Sequence, residues 1–216
     1  NTSNWSAGIP TTTSNETKLN VANLPVLTST ATVNDLTINA GASLTVNTGG
    51  SLALTGTLTN EGNCIGAGTG AVVFEGTTSA SISGGGSTTF QGLTIDKTGG
   101  ASLSIDQEIT TEATTTINSG ATLVLAAGIT WNLNGNLTNR GTCTANNTGS
   151  TILLGGATQT EITNNDFSVY NLTVAKTATN PATNNDARVR LRSGMALTVD
   201  HHLQLNTGRI VGSGGN

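Results

Sequence analysis

Apolar residues along this chain come in short alternating pairs, Leu36 with Ile38, Leu44 with Val46 and Leu52 with Leu54, and consecutive pairs are evenly spaced. A period of two places each pair on one face of a β-strand, and only about four residues fit before the pattern breaks. Between the pairs lie Asn39-Ala40-Gly41-Ala42 and Asn47-Thr48-Gly49-Gly50, whose Asn and Gly accept the positive φ that tight turns demand. Strands this short make no stable hairpin sheet alone. They pair well when the chain coils and each strand lies parallel to the one a coil above. The pattern therefore predicts an all-β, parallel β-solenoid, taken at about 20–24 residues per coil, as is common among solenoid repeats. Leu, Ile and Val fill its interior, and recurrent Asn residues build amide ladders at the turns.

The chain also repeats itself. The stretch from Leu36 to Lys97 returns, at one constant offset, as Thr115 to Lys176. Gly56-Thr57-Leu58-Thr59-Asn60-Glu61-Gly62-Asn63-Cys64 answers to Gly135-Asn136-Leu137-Thr138-Asn139-Arg140-Gly141-Thr142-Cys143. Such a period marks a duplicated and stacked unit. It predicts three or four coils per unit, with the copies about 15–20 Å apart at about 4.8 Å per coil. The expected organisation is a capping segment over residues 1–27, one solenoid unit over 28–113, a second over 114–192 and a truncated third over 193–216. Residues 177–186 read as an inserted surface loop. The competing architecture is a pair of tandem β-sandwich domains, which the 3% aromatic content disfavours because sandwich cores need larger inward side chains.

Composition narrows the function classes. Only 35% of residues are apolar and 9% charged, too little apolar surface for a conventional globule and too little charge for a disordered chain. Net charge is −4 with eight Lys and Arg, so no nucleic-acid partner is expected. Arg188, Arg190 and Arg192 alternate; they are expected on the solvent face of one strand, the rival reading being a specific anion site. The longest apolar run, near Leu123 to Ile129, falls short of the roughly 20 residues of a membrane span, and no membrane insertion is expected. The sequence starts at Asn1 and its one methionine is Met195; it is expected to be a processed or excised piece of an exported protein.

Candidate chemistry is sparse, and no catalytic, cofactor-binding or metal-ligating residues are assigned. Cys64 and Cys143 occupy equivalent places several coils apart, so they are expected to be buried thiols rather than a disulfide. His201 and His202 are adjacent on a strand and point to opposite faces, which suits no single ion. Asp96 and Asp106 are the nearest approach to a general acid–base pair, without His, Arg or Lys beside them. Six Asn-x-Ser/Thr sequences begin at Asn1, Asn4, Asn15, Asn136, Asn146 and Asn171. Trp131 alternates with Ile129 and Leu133, which favours wall packing, with ligand contact as the alternative. Leu203, Leu205, Ile210 and Val211 are the expected assembly edge, where unpaired backbone groups of a terminal coil await another strand.

Asn4-Trp5-Ser6-Ala7-Gly8-Ile9-Pro10, Val33-Asn34-Asp35-Leu36-Thr37-Ile38-Asn39-Ala40-Gly41-Ala42-Ser43-Leu44-Thr45-Val46 and Phe90-Gln91-Gly92-Leu93-Thr94-Ile95-Asp96-Lys97 resemble the repeat regions of large secreted surface proteins of the Bacteroidota. Those regions are similar to adhesin-like, right-handed β-helical stalks exported by the type IX route. The resemblance implies a right-handed β-solenoid that serves as an extracellular structural element at the cell surface, and it lends no catalytic residues. The expected function is a filament subunit or an adhesin stalk whose partners are copies of itself, joined head to tail, or further repeats of the same protein. The alternatives are a glycan-binding adhesin module, with surface glycans as partners, and more remotely a polysaccharide-degrading β-helix enzyme.

Overall fold

A computed structural model describes residues 16–18, 25–178, 185–192 and 194–212. The chain is a parallel β-solenoid with three short strands per coil. One coil runs through Leu36–Ile38 on a first face, Ser43–Val46 on a second and Ser51–Leu54 on a third. The next coil repeats the order with Leu58–Asn60, Asn63–Gly66 and Ala71–Gly76. Every strand pairs in parallel with its counterpart one coil away, for example Leu36 with Leu58, Leu44 with Cys64 and Leu52 with Val72. That pairing overturns the sandwich alternative, which requires antiparallel sheets. The third face is a nine-stranded sheet. The other two faces merge because Phe167–Ala175 and Leu197–Thr207 run unbroken around the corner between them.

Coil length is set by the turns. The coil from Leu103 to its register partner Leu123 is among the short ones, and the coil from Thr138 to its partner Thr163 takes in more chain. The coil carrying the expected insertion is longer still, running from Glu161 to its partner Arg190. Residues 179–184 of that loop lie outside the described residues, as does most of the expected capping segment. Its described parts, Glu16–Lys18 and Val26–Leu27, continue the ladders by pairing with Leu36–Ile38 and with Thr45–Val46.

The interior is a narrow column. On the second face Leu44, Cys64 and Thr88 stack in register, followed by Ile109, Trp131, Ile152 and Leu172. Most strands between Leu36 and Ala175 alternate inward buried residues with outward, more exposed ones, so a coil contributes only a few large side chains. Trp131, Phe74 and Phe90 are the bulkiest of the column's fully buried side chains.

The sequence repeat does not coincide with whole coils. From Leu36–Ile38 to its copy Thr115–Ile117 the chain passes through eleven strands at three per coil, an advance of three and two-thirds coils. Leu36 therefore lies on the first face and Thr115 on the third. Local geometry is conserved through this rotation. Ala42 N–H donates to Asn39 O at 2.9 Å, and Ala121 N–H to Asn118 O at 3.0 Å. Gly41 and Gly120 close those turns with φ of 79° and 83°, a conformation that carries no steric cost for glycine. The three faces are thus interchangeable environments, and the strand–turn unit, not the coil, carries the local fold.

Candidate functional site

The expected assembly edge lies on the last described coil. Leu203 stacks on Leu172 and Leu205 on Val174, continuing two interior columns. With nothing above them among the described residues, Leu203 is 48% and Leu205 55% exposed. Ile210 continues a third column over buried Val189. Val211 differs: it pairs with Arg190, whose side chain faces solvent, so the two-residue alternation puts Val211 on the outer surface. The backbone of Leu197–Thr207 and Arg209–Gly212 is paired on one side only among the described residues.

Trp131 is not a surface platform. It is fully buried, flanked in register by Ile109 and Ile152, and its indole N–H donates to Thr111 Oγ1 at 3.0 Å. The side chain has no exposed surface, so the ligand-contact reading fails on burial. Trp5 lies outside the described residues. Cys64 and Cys143 are free and buried, Cys64 on the second face and Cys143 on the first, and burial pushes both thiols up to about 12.

The carboxylates are held apart. Asp96 stands on the third face and accepts from Asn118 Nδ2 at 2.8 Å. Asp106 stands at the corner leaving the first face and accepts from the Ser104 hydroxyl. The same rung recurs as Asn132 Nδ2 to Glu108 at 2.8 Å and Asn134 Nδ2 to Glu112 at 3.1 Å. The asparagine ladders therefore exist in altered form: these amides bond to carboxylates one coil below, and Asn147 Nδ2 bonds to the Leu125 carbonyl at 2.7 Å. An isolated acid beside an Asn is better satisfied than either residue facing its own kind. His201 stacks on Tyr170 at 4.7 Å between ring centroids, and its Nδ1 lies 3.1 Å from Asn171 Oδ1.

Two features escaped sequence reasoning. Lys97 and Lys176, equivalent in the two copies, are both buried. Lys97 Nζ donates to the Thr55 and Glu75 carbonyls, each at 2.7 Å, and Lys176 Nζ to the Gly155 carbonyl and to Thr160 Oγ1. Burial lowers both amines, that of Lys176 to about 8, against the opposing charges of Glu75 and Asp35 for the first and Asp186 for the second. Leu93-Ile95-Lys97 and Leu172-Val174-Lys176 alternate inward, and that was the available signal. The second feature is charge placement: the five arginines all lie on, or directly after, strands of the third face. Arg188 and Arg190 sit in Arg188–Leu191, Arg192 follows it, Arg209 opens Arg209–Gly212 and Arg140 follows Leu137–Asn139.

The fold defines the class, a repeat β-solenoid. Comparison with protein-family models, curated proteins and solved structures returns no match. No group of three or more His, Cys, Asp or Glu gathers among the described residues.

Proposed function

We propose that this protein is an extracellular structural element, a filament subunit or adhesin stalk, that is lengthened by stacking further β-coils on its terminal edge. The observation that carries the reading is the last described coil, where Leu203 and Leu205 extend buried columns yet stand about half exposed. A coil laid over them, from further repeats of this protein or from another copy, would cover those side chains and pair the free backbone edge in one step. Head-to-tail contacts of this kind do not close, so between copies they give fibres. The low charge and the Thr- and Asn-rich composition support an exported surface protein, as does the resemblance to secreted stalk repeats.

Negative-stain electron microscopy with light scattering tests the filament form. The protein is expected to lengthen end to end as concentration rises, L203D/L205D to abolish that growth, and removal of residues 199–216, which uncovers Leu172 and Val174 one coil below, to alter or abolish it. Growth unchanged in both variants would remove the edge from the account.

A further inference from the structure

We propose that the arginine-bearing end of the third face is a binding strip for an acidic polysaccharide, recognised through carboxylate or sulfate groups. Its centre is a shallow groove lined by Thr138, Arg140, Thr163, Asn164 and Arg192. Thr138 and Thr163 are register partners, the last two rungs of an outward threonine column that begins at Thr94 and Thr116. Hydroxyls therefore form the floor, and the guanidiniums of Arg140 and Arg192 flank it. Beside the groove Arg188, Arg190 and Arg192 alternate along one strand, about 7 Å apart from one to the next. Arg209 pairs with Arg188 on the following rung.

Three carboxylates lie near these arginines, among them Asp166, which follows Asn164 by two residues and accepts from the Ala196 N–H. Glu161 holds Arg190 at 3.6 Å and Arg192 at 3.3 Å, and Asp186 precedes Arg188 in the short 3-10 helix Asn185–Ala187. Arg190 and Arg192 stay 38% and 52% exposed despite their pairing, and Arg140 is exposed with no ion pair among the described residues. In a chain of net charge −4, gathering every arginine at one end of one face leaves a local positive surface. Asn164 adds a second mark. It lines the groove with φ of 79°, the one positive φ outside glycine among the described residues. The equivalent turn position, Gly84, also has positive φ, so this backbone belongs to the winding, and it sets the Asn164 amide at the groove.

Chemistry selects the ligand class. Guanidinium forks pair with carboxylate and sulfate groups, while Thr hydroxyls and the Asn164 amide match the hydroxyls of a sugar ring. A single-stranded nucleic acid would need aromatic platforms for its bases. Of the aromatics, Phe74 and Phe167 are buried, and Tyr170 stacks on His201 away from this face. The inference does not depend on the assembly reading.

Titrating the full chain with polygalacturonate, dextran sulfate, neutral dextran and oligothymidylate at physiological salt tests it. At least one acidic polysaccharide is expected to bind about tenfold or more tighter than neutral dextran and tighter than oligothymidylate. R140Q/R192Q is expected to lose about tenfold, and E161Q, which releases Arg190 and Arg192, to bind more tightly. T45E/T110E makes the same net-charge change on the second face and is expected to stay within about threefold. Both double variants alter exposed or half-exposed side chains, and circular dichroism verifies their fold. Equal binding of acidic and neutral polymers, equal loss in the two double variants, or tighter binding of oligothymidylate would overturn the assignment.

Discussion

At the scale of single residues, the solenoid is held by positions where the next coil leaves no room. A Cβ on Gly62 would meet the Ala42 carbonyl oxygen at 2.3 Å, and one on Gly141 would meet the Ala121 oxygen at the same 2.3 Å. Gly62→Ala and Gly141→Ala are each expected to cost about 1–3 kcal/mol in urea unfolding, since backbone must shift to admit the methyl group. Trp131→Ala removes the largest fully buried side chain and is expected to cost about 3–5 kcal/mol. Its effect should appear in stability, with no change in polysaccharide binding at temperatures where the variant stays folded. Cys64 and Cys143, with thiols pushed up to about 12, are expected to resist a thiol-exchange reagent at pH 8 until denaturant is added, when both react. The Lys176 amine, lowered to about 8 from its ordinary 10.5, makes stability depend on pH. Between those values the unfolded chain binds the proton and the folded chain does not, so stability rises with pH from about 8 to 10.5 and the penalty is constant below. Urea midpoints at pH 8 and pH 10 check this: part of the gain seen in the unaltered chain should vanish in Lys176→Met, leaving what Lys97 contributes.

At the scale of elements, strands and turns were legible because one chemical signal fixes each. Period-two pairs such as Leu44 and Val46 define the inward side, and Asn-Ala-Gly-Ala supplies the turn whose third residue needs positive φ. Coil length in the regular part matches the usual size of solenoid repeats, about 20–24 residues. Other features were not legible because they depend on what lies one coil away. The asparagine ladders took Asn–carboxylate form because register sets Asn118 on Asp96 and Asn134 on Glu112, while Asn132, in register with Thr110, reaches diagonally to Glu108. Val211 shares the terminal coil with Leu203 and Leu205, while its pairing with Arg190 places its side chain outside. Each exposed rung contributes little: Asn132→Ala is expected to cost under about 1 kcal/mol in urea unfolding, far less than Gly62→Ala.

At the scale of the whole molecule, the duplication and the winding obey different periods. Eleven strands per repeat against three per coil turn each copy onto a neighbouring face, so residues equivalent in sequence are not neighbours in space. Cys64 and Cys143 therefore sit on different faces as well as different coils. The arginine strip has the same origin. Arg140 stands where the first copy has Glu61, and the rotation brings it to the third face beside strands from the end of the chain. Disulfide trapping tests this arrangement most directly, because Thr116 and Thr138 are register partners on adjacent coils, about 4.8 Å apart. T116C/T138C is expected to form an intrachain bond under mild oxidation, while T37C/T116C, which joins equivalent positions of the two copies, is expected to remain reduced. The opposite result, a bond between residues 37 and 116 and none between 116 and 138, would contradict the three-strand winding.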